Sequence, residues 1–172
     1  DGPARARGVR DLVERLERLP GVQSVAASNL VPLDGGGGEG SLQIDGVVFE
    51  PGREPGAAFV GVTPGLVRTL GLTVLTGEDF TAAQGWSDQA VALVNRTLVE
   101  RHLGEASPLG RRVRVRENGA EPAWFTIIGV VDDFKHDDID PDDEPFPAVY
   151  VPHAWQPTET TGLILRVDGD PS

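Results

Sequence analysis

Cysteine is absent from the 172 residues of this chain. That excludes a disulfide framework, a thiol nucleophile and thiolate metal sites. It does not fix the compartment, because a cysteine-free chain is as compatible with an oxidising exterior as with a reducing interior. Long apolar runs are missing too. The longest uncharged segment, residues 19–33, is interrupted by Pro20, Gly21, Gln23, Ser28, Asn29 and Pro32, and is too short and too polar to span a bilayer. Basic residues are scarce: 15 Lys and Arg face 27 Asp and Glu, for a net charge of −12. Nucleic acid needs a basic face to displace phosphate counterions, so it is excluded as a partner. Docking on anionic headgroups is disfavoured for the same reason.

What is present suits one ordinary domain, or two small ones sharing a core. The chain is 39% hydrophobic and 24% charged, the balance of a folded soluble domain. Its charge is uneven. Residues 132–144 hold eight acids and one lysine, net −7, which leaves −5 for everything else. The polar opening Asp1-Gly2-Pro3 and the charged stretch behind it show no leader-like pattern. Taken alone, they lead to the expectation of a soluble cytoplasmic chain.

Periodicity predicts the elements. Val9, Leu12, Val13, Leu16 and Leu19 recur at helical spacing, predicting an amphipathic helix over 3–19 that ends at Pro20-Gly21. A strand is expected over 22–31, then a flexible tip at Gly35 to Gly38. A second strand region is expected at 42–49 around an Asp45-Gly46 hairpin turn, and a third strand over 57–63. In Thr63-Pro64-Gly65-Leu66-Val67-Arg68-Thr69-Leu70-Gly71, Pro64 suits the first helical position and Gly71 a left-handed cap, with Leu66, Val67 and Leu70 facing inward. A loop is expected through Trp86, followed by a buried strand over 90–94. Asn95 is expected to cap a helix over 96–103. Alternating Arg and Val over 111–116 predict a half-exposed strand, pairing with 123–131 across Asn118-Gly119. Strands at 149–151 and 163–167 close an α+β chain.

Candidate chemistry is thin. The acidic run 132–144 offers carboxylates in the alternation that Ca²⁺ favours. An EF-hand loop counted from Asp132 would need Gly at its sixth position and Glu at its twelfth, where Asp137 and Asp143 stand. His136 lies within the run, but His102 and His153 sit in separate elements with no ligand spacing. A solvated, like-charged surface loop describes the run better. A carboxylate-based metal-binding or hydrolase module stays open as the alternative, and a plain protein-interaction domain as a third. Gly35 to Gly38 lacks the Lys-Ser/Thr of a phosphate loop, and no serine sits in a G-x-S-x-G elbow. Trp124 is expected in the core at a strand start, with Trp86 and Trp155 shielding from loops. No catalytic, cofactor-binding or metal-ligating residue is assigned, and no cofactor.

Four segments, in order, resemble the extracytoplasmic core domain of MacB-like and FtsX-like ABC-transporter permeases. They are Leu19-Pro20-Gly21-Val22; the Val62 to Leu72 stretch with Gly77-Glu78-Asp79-Phe80; Val91 to Asn95 with Pro108 to Arg112; and Phe125 to Val131 with Val149 to Pro152. Glu78 stands where that family usually has Arg, and Leu66-Val67 replaces an aromatic pair. The resemblance implies a mixed-sheet porter-like subdomain from residues 1–87 and 145–172, with a smaller inserted α/β subdomain at 88–144. It also implies a non-enzymatic loop domain outside the cell membrane that relays conformational change. The implied partners are the flanking transmembrane helices, an ABC ATPase subunit, a periplasmic adaptor and a second copy in the full transporter. On this reading the chain is extracytoplasmic, against the expectation drawn from its opening residues.

Overall fold

A computed structural model describes residues 2–29, 39–117, 123–134, 144–155 and 161–169. In chain order the elements are α1 (Gly2–Leu16), β1 (Val22–Ser28), β2 (Glu39–Ile44), β3 (Gly56–Val62), α2 (Leu66–Leu70), β4 (Val74–Gly77), α3 (Ala82–Gly85), β5 (Val91–Asn95), α4 (Arg96–His102), β6 (Arg112–Arg116), β7 (Phe125–Val131), β8 (Ala148–Pro152), a 3₁₀ turn (His153–Trp155) and β9 (Gly162–Val167). Helices and a mixed sheet make it α+β, as expected. The glycine tip at 35–38 and the Asn118-Gly119 turn lie outside the described residues.

The sheet runs β2-β6-β7-β5-β8-β3-β1-β9, with β4 added beside β7. Strand β2 is shared. Its first half pairs with β3, Glu39 opposite Ala58, and its second half with β6, Ile44 opposite Val113. Six strands therefore form a closed ring, β2-β6-β7-β5-β8-β3, which hides their edges from water. Pairing is parallel for β3–β8 and β5–β7 and antiparallel elsewhere.

Alternation along these strands sends one set of side chains into the ring and the other outward. Leu42, Phe59, Val94, Val113, Phe125 and Val149 share the interior cluster, and Leu98 of α4 joins them. Outward-facing Ala58, Val60, Leu93 and Tyr150 meet Leu66, Val67 and Phe80, so α2 covers that outer side. Beyond the ring, Val25 and Ala27 of β1 pack under Val13 of α1. The interior draws on residues from across the chain. β6, β7 and β5 stand consecutively between β2 and β8.

Several local expectations need correction. Helix α1 stops at Leu16, and Leu12 and Leu19 are exposed, so its buried stripe narrows to Val9, Val13 and Leu16. Val47 to Phe49 form no strand. Val47 N–H returns to the Ile44 carbonyl in a turn, and Leu42 already takes its partner from Pro55. Pro64 lies in a turn before α2 instead of at its first helical position. Thr63 is pinned to Ala27 through both its backbone N–H and its hydroxyl, so the chain must swing round through Gly65, at φ 90°, before it can wind. Within α2 Thr69 is buried and Leu70 only partly so. Gly71, at φ 72°, is the left-handed cap that was expected. The loop before Trp86 contains α3, whose capping box joins Thr81 and Gln84.

Candidate functional site

Asn95, where β5 passes straight into α4, ties three backbone groups together through its side chain. Its Oδ1 accepts from Leu98 N–H (3.1 Å), capping the helix as its sequence position suggested. The same oxygen accepts from Ala148 N–H (2.9 Å), and its Nδ2 donates to the Phe146 carbonyl (2.9 Å). Asn95 is 0% exposed, so these bonds exist without competition from water. They tie α4 to the start of β8, more than fifty residues on. Sequence spacing signals the cap and carries no trace of the second tie.

Helix α4 also holds both ends of the acidic run. Arg96 pairs with Asp132 (2.9 Å), Thr97 N–H donates to Asp133 Oδ1 (2.9 Å), and Arg101 pairs with Glu144 (2.7 Å). The ion pairs are solvent-exposed, so each contributes ~1 kcal/mol or less. Their effect is to fix where the run leaves and rejoins the body. Residues 135–143, including His136, lie outside the described residues. Burial raises the Tyr150 phenol above its ordinary pKa, and the Asp133 charge pushes the same way.

The histidines stand apart. The His102 ring meets Phe49 edge-on with centroids 6.1 Å apart. Burial, with the Arg101 charge added, lowers its pKa. His153 is 1% exposed, its Nε2 lies 3.4 Å from Thr161 Oγ1, and its Nδ1 has no hydrogen-bond partner among the described residues. Burial alone lowers its pKa. Asp79 shifts the other way: burial raises its pKa, opposed by the Phe80 N–H it accepts. Among the described residues no three His, Asp or Glu side chains converge as a metal site would require.

The tryptophans divide in an unexpected way. Trp155 stacks edge-on against Phe125 (5.1 Å) and donates to the Gln89 carbonyl (3.0 Å), while Trp86 packs against the α1–β1 cluster. Trp124 was expected in the core. It precedes β7 and is only partly buried, because Phe125 takes the inward position and alternation turns Trp124 outward. Arg114 lies over its ring at 4.5 Å and Arg112 at 5.7 Å. Arg112 donates twice to Asp45 Oδ2, and Arg114 donates to Gln43 Oε1. Beside this row is a cavity of about 270 Å³, with Val47, Val48, Phe49 and Glu54 on one side and Gln43 and Trp124 on the other.

The described residues form a closed mixed-sheet ring flanked by helices, with polar ties at the two ends of the acidic run. The family follows from the match: residues 2–170 fit the MacB-like periplasmic core domain, and the chain belongs to that family. It is an extracytoplasmic domain of the ABC-type permease class. That is the location the resemblance implied; the cytoplasmic expectation drawn from the opening residues alone is overturned.

Two solved structures share the fold. The periplasmic region of MacB from Actinobacillus actinomycetemcomitans has a TM-score of 0.63 at 17% identity, covering 95% of this chain and 66% of that one. The extracellular domain of the noncanonic ABC-type transporter YknZ from Gram-positive bacteria has a TM-score of 0.61 at 18% identity, covering 92% and 72%. The chain thus spans about two thirds of the length of those structures. No curated protein matches it. No helix among the described residues is long and apolar enough to cross a membrane.

Proposed function

We propose that this domain is a non-enzymatic relay, which passes conformational change from the membrane helices of an ABC-type permease to an external partner or substrate. The observation that supports this best is the closed ring of six strands around one apolar interior. Packed interiors deform little, so displacement applied at one end reaches the other. An ABC ATPase supplies the motion, the flanking transmembrane helices deliver it, and a periplasmic adaptor or substrate receives it, with two copies in the working transporter. We also take residues 88–144 as the inserted unit, resting on the consecutive placement of β6, β7 and β5 in the sheet. Residues 1–87 and 145–172 would then form the porter-like unit.

The test is replacement of residues 2–169 by a flexible linker in the full-length permease. ATP hydrolysis should persist while transport is lost. Transport at the parent rate would overturn the relay.

A further inference from the structure

Strand β9 ends the sheet, and among the described residues it pairs with β1 alone. Asp168 N–H donates to the Gly21 carbonyl (2.7 Å), and Val22 faces Val167 across the ladder. Antiparallel pairing alternates, so the backbone groups of Ile164, Arg166 and Asp168 turn toward β1. Those of Leu163, Leu165 and Val167 turn to the open edge. Natural sheets blunt such an edge with charge, proline or a cover. No proline interrupts Gly162–Val167, and its one charged side chain, Arg166, reaches back to donate to the Thr69 carbonyl.

The same three residues carry uncovered apolar side chains. Leu163, Leu165 and Val167 are 38%, 41% and 49% exposed. They share the face on which Val25 and Ala27 of β1 lie under Val13, so α1 covers β1 there and leaves β9 open. Exposed Leu19 extends the strip, since its carbonyl accepts from Val22 N–H, across from Val167.

An open backbone edge and an apolar strip on one strand call for another strand, and β9 fits its own copy. About a two-fold axis at Leu165, an antiparallel partner sets Leu165 opposite Leu165, Leu163 opposite Val167 and Ile164 opposite Arg166. Every outward N–H and C=O then meets another, for about six hydrogen bonds, and the two apolar strips merge on one face. Neighbouring registers fit worse. Centring on Arg166 sets the two arginines directly opposite each other, and centring on Ile164 leaves Val167 opposite Thr161, outside the strand. The acidic load lies elsewhere: the ends of the 132–144 run are held by α4, which packs on β5 and β7, and β8, β3 and β1 separate β5 from β9.

We propose that β9 pairs antiparallel with β9 of a second copy, joining the two sheets edge to edge about Leu165. This deepens the two-copy reading above and rests on it: so small an interface suits copies already concentrated by one membrane. Because the copies move relative to each other in that reading, the contact belongs to one stage of the transport cycle.

Single cysteines in the full-length permease, with any others replaced, test the register by mild oxidation in membranes with and without ATP. Hydrogen-bonded antiparallel partners have Cα atoms about 5.5 Å apart, inside the disulfide range of about 4.4–6.8 Å. Leu165→Cys should give a covalent dimer in one nucleotide state, at least tenfold faster than Leu163→Cys or Val48→Cys. Co-expressed Leu163→Cys and Val167→Cys copies should cross-link with each other and not with themselves. Adding Leu165→Asp, which sets two like charges face to face at an exposed position, should abolish that mixed cross-link. In the isolated chain at dilution, the Leu163, Leu165 and Val167 amides should exchange faster than those of Ile164 and Arg166. Four results would overturn the proposal: no Leu165 dimer in either state, equal rates at all three single positions, a Leu165 cross-link to a different protein, or protected edge amides in the isolated chain. Cross-linking is read without transport, so this contact and the relay fail separately.

Discussion

Replacing Asn95 by alanine should be among the most damaging single changes in this domain, and its cost can be worked from three bonds. Alanine strands the Leu98 and Ala148 N–H groups and the Phe146 carbonyl, all partners of a side chain with no solvent exposure. A buried group left without a partner costs about 1–3 kcal/mol, so three give about 3–6 kcal/mol once some relaxation is allowed. For a domain stable by about 5–15 kcal/mol, that is a large fraction. Urea unfolding followed by circular dichroism measures it. With a slope of about 1–3 kcal/mol/M, the midpoint should fall by about 2 M. Asn95→Asp makes a sharper test. The carboxylate keeps both acceptor contacts but turns an oxygen toward the Phe146 carbonyl, and only its protonated form can donate there. Asn95→Asp should therefore sit nearer the parent at pH 4.5 than at pH 7.5, each measured against the parent at that pH. An Asn95→Ala loss below about 1 kcal/mol, or an Asp variant indifferent to pH, would refute the reasoning.

Stability should fall as pH drops below about 6.5, the ordinary histidine value. His102 and His153 have folded pKa values pushed down by burial, so the unfolded chain binds protons first and the loss continues down to the folded values. His153→Leu should flatten part of that slope in unfolding measured between pH 5.5 and 7.5. Leu70→Ala should cost about 1–2 kcal/mol, less than the 2–5 of a fully buried leucine, because Leu70 is only partly covered. Gly129→Ala should be worse, since a methyl group there runs into the Glu78 carbonyl; thermal melts rank the two. Ester, phosphoester and peptide libraries should show no turnover, and turnover abolished by Asp133→Asn would overturn the non-enzymatic reading.

Much of the fold was legible because its strands obey simple alternation. Arg-Val-Arg-Val-Arg at 112–116 could only be half-exposed, and Asn95 stood where a cap was needed. The family resemblance rested on glycines, prolines and aliphatics that mark turns and strand ends. What stayed hidden depends on distant pairing. Nothing near β2 says that it divides its hydrogen bonds between β3 and β6, so ring closure was invisible. Nor does local sequence place Phe146 and Ala148 on Asn95. Trp124 misled because bulk argues for burial, while the position of Phe125 in the alternation turned its neighbour outward. Thr81 and Gln84 carried a readable capping-box spacing that pointed to α3.

On the proposed relay, the ring and the β1–β9 edge attached to it move as one rigid body under ATP-driven motion of the membrane helices. Spin labels on cysteines introduced at Val48 and Leu163, in a chain with no cysteine of its own, allow pulsed electron–electron distances in the full-length permease. The Val48–Leu163 distance within one copy should stay constant between nucleotide-free and ATP-bound states, while the Val48–Val48 distance between copies changes. An internal distance that changes, or an intercopy distance that does not, would contradict the account.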